Sequence, residues 1–202
     1  MTEALSLFSV KGYGSVSVTE IADAVGIKAP SLYKHYKSKQ DIFNAILIEM
    51  KAGYEKQMAS MQLNGIDADQ DQALYLNSSE DEIIERSIGL FLYFLHNDNE
   101  HKFRKMLTIE QYNNKELASQ YARQYIDFPL SYQCAVFGLM ANLGITILES
   151  PQIMALQYYG PVYLYIHLCD CNPEREAEAV QMLEQHFRQF IRLYNKKGES
   201  ML

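Results

Sequence analysis

Apolar positions along the chain recur at helical spacing from one end to the other, so the pattern predicts an all-α protein. Ile21, Ala22 and Val25 follow Thr19 at this spacing. They predict a short helix from Thr19 to about Val25, with the Thr19 hydroxyl capping its first turn. Gly26 can take the positive φ that ends a helix, and Ile27 can then fold back onto the helix before it. Pro30 suits the first turn of a second helix, where its missing N–H costs nothing. Leu32, Tyr33 and Tyr36 would bury one side of that helix and leave Lys28, Ser31, Lys34 and His35 on the other. Ser38 and Asp41 have the spacing of a capping box, and Ile42, Phe43, Ile46 and Leu47 carry the helix it opens toward Met61.

Beyond Met61 the pattern changes. Leu63 to Ser79, with Asn64-Gly65 and three aspartates, reads as a polar connection. Asp67, Asp69 and Asp71 have the spacing that opens a calcium loop, but Gln72 and Ser78 stand where the loop needs Gly and Glu, so a solvated loop is the expectation. Ile84, Ile88, Phe91, Leu92 and Leu95 predict a core helix over 80–96, apolar nearly all round. Further helices are expected from about Glu100 to Tyr112, from Lys115 to Leu143 with a kink at Pro129, from Pro151 to Cys171, and from Pro173 to Asn195. Val180, Leu183, Phe187, Phe190, Ile191 and Tyr194 make a stripe on the last helix, wider than one partner helix would cover. Left open in a monomer, it would be a large apolar patch, so a second copy of the chain is the expected cover, through a four-helix bundle.

Two helices joined by so tight a turn form a helix-turn-helix, whose second helix enters the DNA major groove. The net charge of −7 opposes DNA binding only if it is spread evenly. It is not. Residues 1–50 balance Lys11, Lys28, Lys34, Lys37 and Lys39 against Glu3, Glu20, Asp23, Asp41 and Glu49, so the whole excess lies in residues 51–202. From Ile27 to Gln40 there are lysines and a histidine and no acid, interleaved with Tyr33 and Tyr36.

The run Leu7-Phe8, Gly12-Tyr13, Val18-Thr19-x-Ile21-Ala22, Gly26-Ile27, Leu32-Tyr33-x-His35-Tyr36 and Lys39 resembles the N-terminal signature of the tetracycline-repressor (TetR) family, over roughly the first quarter of the chain. The resemblance implies an N-terminal three-helix helix-turn-helix DNA-binding domain at 1–47 and a C-terminal helical ligand-binding and dimerisation domain at 48–202. It implies that Lys28, Ala29, Pro30, Ser31 and Lys34 face base edges while Thr19, Tyr33, His35 and Lys39 hold phosphates. It further implies a homodimer on a double-stranded DNA operator, with an unknown small-molecule effector entering a cavity among the four helices between Glu80 and Cys171. Lys28 and Tyr36 depart from the family pattern, which often has serine and usually phenylalanine there, and the segment before Leu5 is shorter than most members carry.

Tyrosines crowd the second half of the chain. Tyr121, Tyr125, Tyr132, Phe137 and Tyr158 are the candidate lining of the effector cavity, because phenols that each need a partner suit a polar-lined cavity. His167-x-Cys169-x-Cys171 is the most metal-like cluster, but residues two apart on a helix point away from each other, so packing cysteines are expected and no metal or other cofactor. The cysteines are odd in number, so no disulfide framework is expected. No Ser/His/Asp arrangement, phosphate loop or paired-carboxylate motif points to catalysis. With no secretion signal and no bilayer-length apolar run, a cytoplasmic protein is expected. The competing expectation is an all-helical small-molecule-binding or enzyme module with a vestigial helix-turn-helix.

Overall fold

A computed structural model describes residues 1–196 of the chain. The elements are α1 Thr2–Lys11, α2 Val18–Ala24, α3 Ala29–Leu32, α4 Lys39–Ser60, α5 Ala68–Asn77, α6 Glu80–His96, α7 Asp98–Glu110, α8 Lys115–Ala122, a π-helical segment Arg123–Asp127, α9 Phe128–Asn142, α10 Pro151–Cys171, a 3-10 turn Pro173–Arg175, and α11 Glu176–Tyr194. The all-α expectation holds. The sole extended pairing among the described residues is an isolated bridge between Thr146 and Asn195, flanked by Ile147 N–H to the Tyr194 carbonyl (2.9 Å) and Lys196 N–H to the Ile145 carbonyl (3.0 Å).

By packing, the chain forms two units, Met1–Lys56 with His96–Arg123, and Gln57–Leu95 with the described residues after Arg123. The boundary expected at residue 47 takes no account of α7 and α8, which pack with the N-terminal helices. In the first unit α1 lies against α7, and Leu5, Phe8, Ile21, Ile42, Phe43, Ile46, Phe103, Met106 and Leu107 fill the core. An aromatic chain runs through it: Phe8 to Tyr13 at 5.1 Å between ring centroids, Tyr13 to Phe43 at 5.4 Å, Phe43 to Phe103 at 6.3 Å. Glu100 and Arg104, one turn apart on α7, are both buried.

In the second unit, Ile84, Ile88 and Phe91 of α6 meet Ile166 and Cys169 of α10 and Ala179, Leu183 and Phe187 of α11. A smaller cluster joins Phe137 of α9, Met154 and Ala155 of α10, and Phe190 of α11.

Two expectations change here. The polar connection contains a helix, α5, because Asp67 caps it, accepting from Asp69 N–H at 3.1 Å. Asp71 is not solvated. It is buried and accepts from Asn64 N–H (2.6 Å), Gly65 N–H (2.8 Å) and the Tyr132 hydroxyl (2.6 Å). The helix expected over 115–143 runs without a gap from Lys115 to Asn142, with a π-helical departure just before Pro129, where the kink is expected. Pro129 has no N–H to give the Tyr125 carbonyl, the chain widens into the π-helical segment just before it, and that carbonyl accepts from the Tyr159 hydroxyl at 2.7 Å.

Candidate nucleic-acid interface

The cap of α2 is Ser17, two residues before the expected Thr19. Its hydroxyl accepts from Glu20 N–H at 3.1 Å, and the Glu20 carboxylate accepts from Ser17 N–H at 2.8 Å, a complete capping box. That amide, Lys11 at 3.0 Å and the Ser17 hydroxyl hold the Glu20 carboxyl down at about 2. Thr19, freed of capping, is exposed.

Gly26 has φ +72, and Ile27 N–H returns to the Ala22 carbonyl at 2.9 Å, so the turn forms as the glycine requires. Only the backbone of Ile27 folds back, since its side chain is 39% exposed. Lys28 precedes α3 in extended conformation and supplies no side-chain cap. Its carbonyl takes Ser31 N–H at 2.8 Å instead. α3 is short, continuing as turns through His35 N–H and Tyr36 N–H to the Leu32 carbonyl, each at 3.0 Å. Leu32 is buried and anchors the element, whereas Lys28, Pro30, Ser31, Tyr33, Lys34 and His35 are exposed and Ala29 is half-buried. Among the described residues, the side chains of Lys28, Ser31, Lys34 and His35 carry no hydrogen bond or ion pair. The segment therefore presents cations and hydroxyls that none of the described residues engages.

Lys39 is different, and its expected phosphate role is corrected. Its ammonium donates to the carbonyls of Tyr13 (2.7 Å), Gly14 (3.2 Å) and Val16 (2.8 Å), and it sits 4.5 Å from the centre of the Tyr13 ring. An ammonium has three N–H groups, so none is left for a phosphate oxygen. Lys39 ties the turn between α1 and α2 to the start of α4. Nor could local pattern have found Glu110, which holds the same turn from 96 positions along the chain.

The five aromatic candidates divide between the two units. Tyr121 is buried in the first unit. In the second unit, Tyr125 contacts Phe94 at 6.4 Å, while Tyr132 bonds to Asp71 and lies 3.2 Å from the Tyr75 hydroxyl. Burial, and then Tyr75 and Asp71, push the Tyr132 phenol up. Phe137 and Tyr158 do meet, at 5.5 Å, within a cluster that includes Phe187 and Phe190. The Tyr158 hydroxyl lies 2.6 Å from that of Ser87, and burial pushes its phenol up to about 12.

The α11 stripe is likewise not an open face. Leu183, Phe187 and Phe190 are buried by α6, α9 and α10 of the same chain, and Val180, Ile191 and Tyr194 are half-buried beside them. The width that suggested a partner is accounted for by three helices of the same chain. Exposed apolar residues lie elsewhere on the two C-terminal helices: Ile153, Leu156 and Leu164 on α10, Met182 and Leu193 on α11.

Cys169 is buried, Cys171 is exposed, and His167 packs edge-on to Tyr163 at 4.7 Å. Among the described residues no group of His, Cys, Asp or Glu could hold a metal ion, and no helix is long and apolar enough to cross a membrane.

Residues 1–46 match the family model for bacterial regulatory proteins of the tetR family. The HTH-type transcriptional repressor BdcR of Escherichia coli is 43% identical over 49 residues, which is 24% of this chain and 25% of BdcR. The Staphylococcus epidermidis IcaR, an HTH-type negative regulator of the biofilm operon icaADBC, is 45% identical over 40 residues, 20% of this chain and 22% of its own. The chain thus spans about a quarter of the length of these relatives. Solved structures extend the likeness in fold. A TetR-family transcriptional regulator from Mesorhizobium loti covers 96% of this chain and 94% of its own at 17% identity, with a TM-score of 0.71. SmeT, the repressor of the Stenotrophomonas maltophilia multidrug efflux pump SmeDEF, in its triclosan complex covers 97% of this chain and 90% of its own at 15% identity, with a TM-score of 0.66.

Proposed function

We propose that this chain, whose first 46 residues belong to the tetR family of bacterial regulatory proteins, is a cytoplasmic repressor of transcription that binds a pseudo-palindromic double-stranded DNA operator as a homodimer and is released by a small-molecule effector. One observation carries the reading. The segment Lys28 to Lys37 is an exposed, acid-free surface on a glycine-turned helix pair, and its cations have no side-chain partner among the described residues. Cations left in solvent on such a geometry suit phosphate neutralisation and base-edge contact.

Homodimerisation is supported by the exposed apolar residues of α10. Ile153, Leu156 and Leu164 fall at i, i+3 and i+11 with Gly160 between them, so they share one helical face. Paired across a two-fold axis with Met182 and Leu193 of α11, that face would be covered, and the dimer would carry two recognition segments, as an operator with half-sites about 34–36 Å apart requires. Effector control is supported by the fold shared with SmeT, solved with triclosan bound, and by Ser87 and Tyr158, a polar pair within an apolar cluster.

Selecting DNA from a random library with the purified chain tests the reading. Enrichment of a two-fold symmetric sequence is expected. Failure to enrich any sequence would favour a helical binding or enzyme module.

A further inference from the structure

A carboxylate is out of place where Glu110 stands. It is the last residue of α7, where the helix dipole is negative and a cation is the favourable choice, and it is only 7% exposed. A local rule broken inside a packed core marks a group whose use lies elsewhere. Here the use is visible. Glu110 Oε1 accepts from Gly14 N–H at 2.8 Å, and a Cβ on Gly12, which has φ +80, would come within 2.7 Å of the same oxygen. The backbone of the turn between α1 and α2 is drawn onto the carboxylate as closely as glycine permits.

The other edge of that turn is held by Lys39, whose ammonium takes the carbonyls of Tyr13, Gly14 and Val16. An anion on the amide side and a cation on the carbonyl side align with the peptide dipoles between them. The Tyr13 ring, packed on Phe8 and Phe43, and its hydroxyl, donating to Gln40 at 3.0 Å, lock the turn to α1 and α4. From Val16 it is one residue to Ser17, the cap of α2, so where this turn sits decides where the reading segment sits.

We propose that Glu110 is a positioning residue for operator binding, fixing α1 and α2 from the end of α7 through the Gly14 amide. This rests on the DNA-binding reading. Two substitutions separate reach from charge. Glu110→Gln keeps the side-chain length and the accepting oxygen, while Glu110→Asp keeps the charge but withdraws it by one methylene. Operator affinity of the full chain, measured by fluorescence anisotropy on the DNA its own library selection yields, should fall at least about tenfold for Glu110→Asp and stay within about threefold of the parent for Glu110→Gln. Amide hydrogen exchange at Gly14, measured without DNA, should quicken in the aspartate variant and stay slow in the glutamine variant. Parent-like affinity in the aspartate variant, or a larger loss in the glutamine variant, overturns the proposal. A parent that selects no DNA sinks the DNA-binding reading instead. Equal Gly14 exchange in parent and aspartate variant sinks the contact itself.

Discussion

Lys28 and Lys34, beside and just after α3, stay in solvent with no partner among the described residues, whereas Leu183, Phe187 and Phe190 on α11 are covered by the chain's own helices. In the sequence each set is one-sided, and each suggests something outside the subunit. Hydrophobic attraction is non-directional, so any apolar neighbour can cover an apolar stripe, and α6, α9 and α10 do. A cluster of cations is harder to absorb, since burying charge needs opposite charge and hydrogen bonds in matching places. With no acid between Ile27 and Gln40, the lysines there cannot be consumed locally, and among the described residues Lys28 and Lys34 are not consumed at long range either. Lys39 marks the limit of this reasoning, because backbone carbonyls took it up.

Reversing the outcome for either region should be visible. Phe187→Ala should cost about 3–5 kcal/mol of stability, read by denaturant unfolding, because the ring is fully buried by the same chain. A loss below about 1 kcal/mol with a monomeric product would restore the stripe to a subunit interface. Leu156→Glu with Leu164→Glu, both on the exposed face of α10, should leave the unfolding midpoint near the parent's and shift sedimentation to the monomer. A dimer unchanged by that pair would put the seam elsewhere. Next in size is Lys39→Ala, which removes charged bonds to three carbonyls. It should destabilise by about 1.5–3 kcal/mol while leaving the salt dependence of DNA binding unchanged, whereas Lys34→Ala should change the preferred sequence at parental stability. A flatter salt slope for Lys39→Ala would return that residue to the phosphate contacts.

The smallest effect concerns pH. Glu20 has its folded pKa lowered from 4.5 to about 2, so its contribution is present above the unfolded value and lost as pH falls toward about 2. Glu20→Gln should flatten the acid limb of stability in that window. An unchanged limb would mean the capping box adds nothing in solution.

What was legible follows the range of the contacts involved. Gly26, Pro30 and the Ser38–Asp41 box act within a few residues, and the helices they bound begin within about two positions of expectation, although α3 ends at Leu32 and does not reach Tyr36. The Ser17 cap was missed because Thr19 also suits capping, and the choice between them depends on Glu20. α5 was hidden because Asp71, which looks solvated by composition, serves Asn64, Gly65 and Tyr132, the last 61 positions away. Among the candidate site residues, the exposed cations near α3 were readable for the same local reasons. The aromatic candidates and the α11 stripe were not, since their surroundings come from helices brought together only by folding.

The central claim is that the surface from Lys28 to Lys37 is where this chain meets DNA. The most direct test is library selection followed by anisotropy titration at several salt concentrations, with the parent and with Lys28→Ala/Lys34→Ala. The parent should enrich one two-fold symmetric sequence and bind it with a steep inverse salt dependence, and the double variant should lose that sequence while unfolding at the parent's midpoint. Identical enrichment and identical salt slopes for the two proteins would contradict the account.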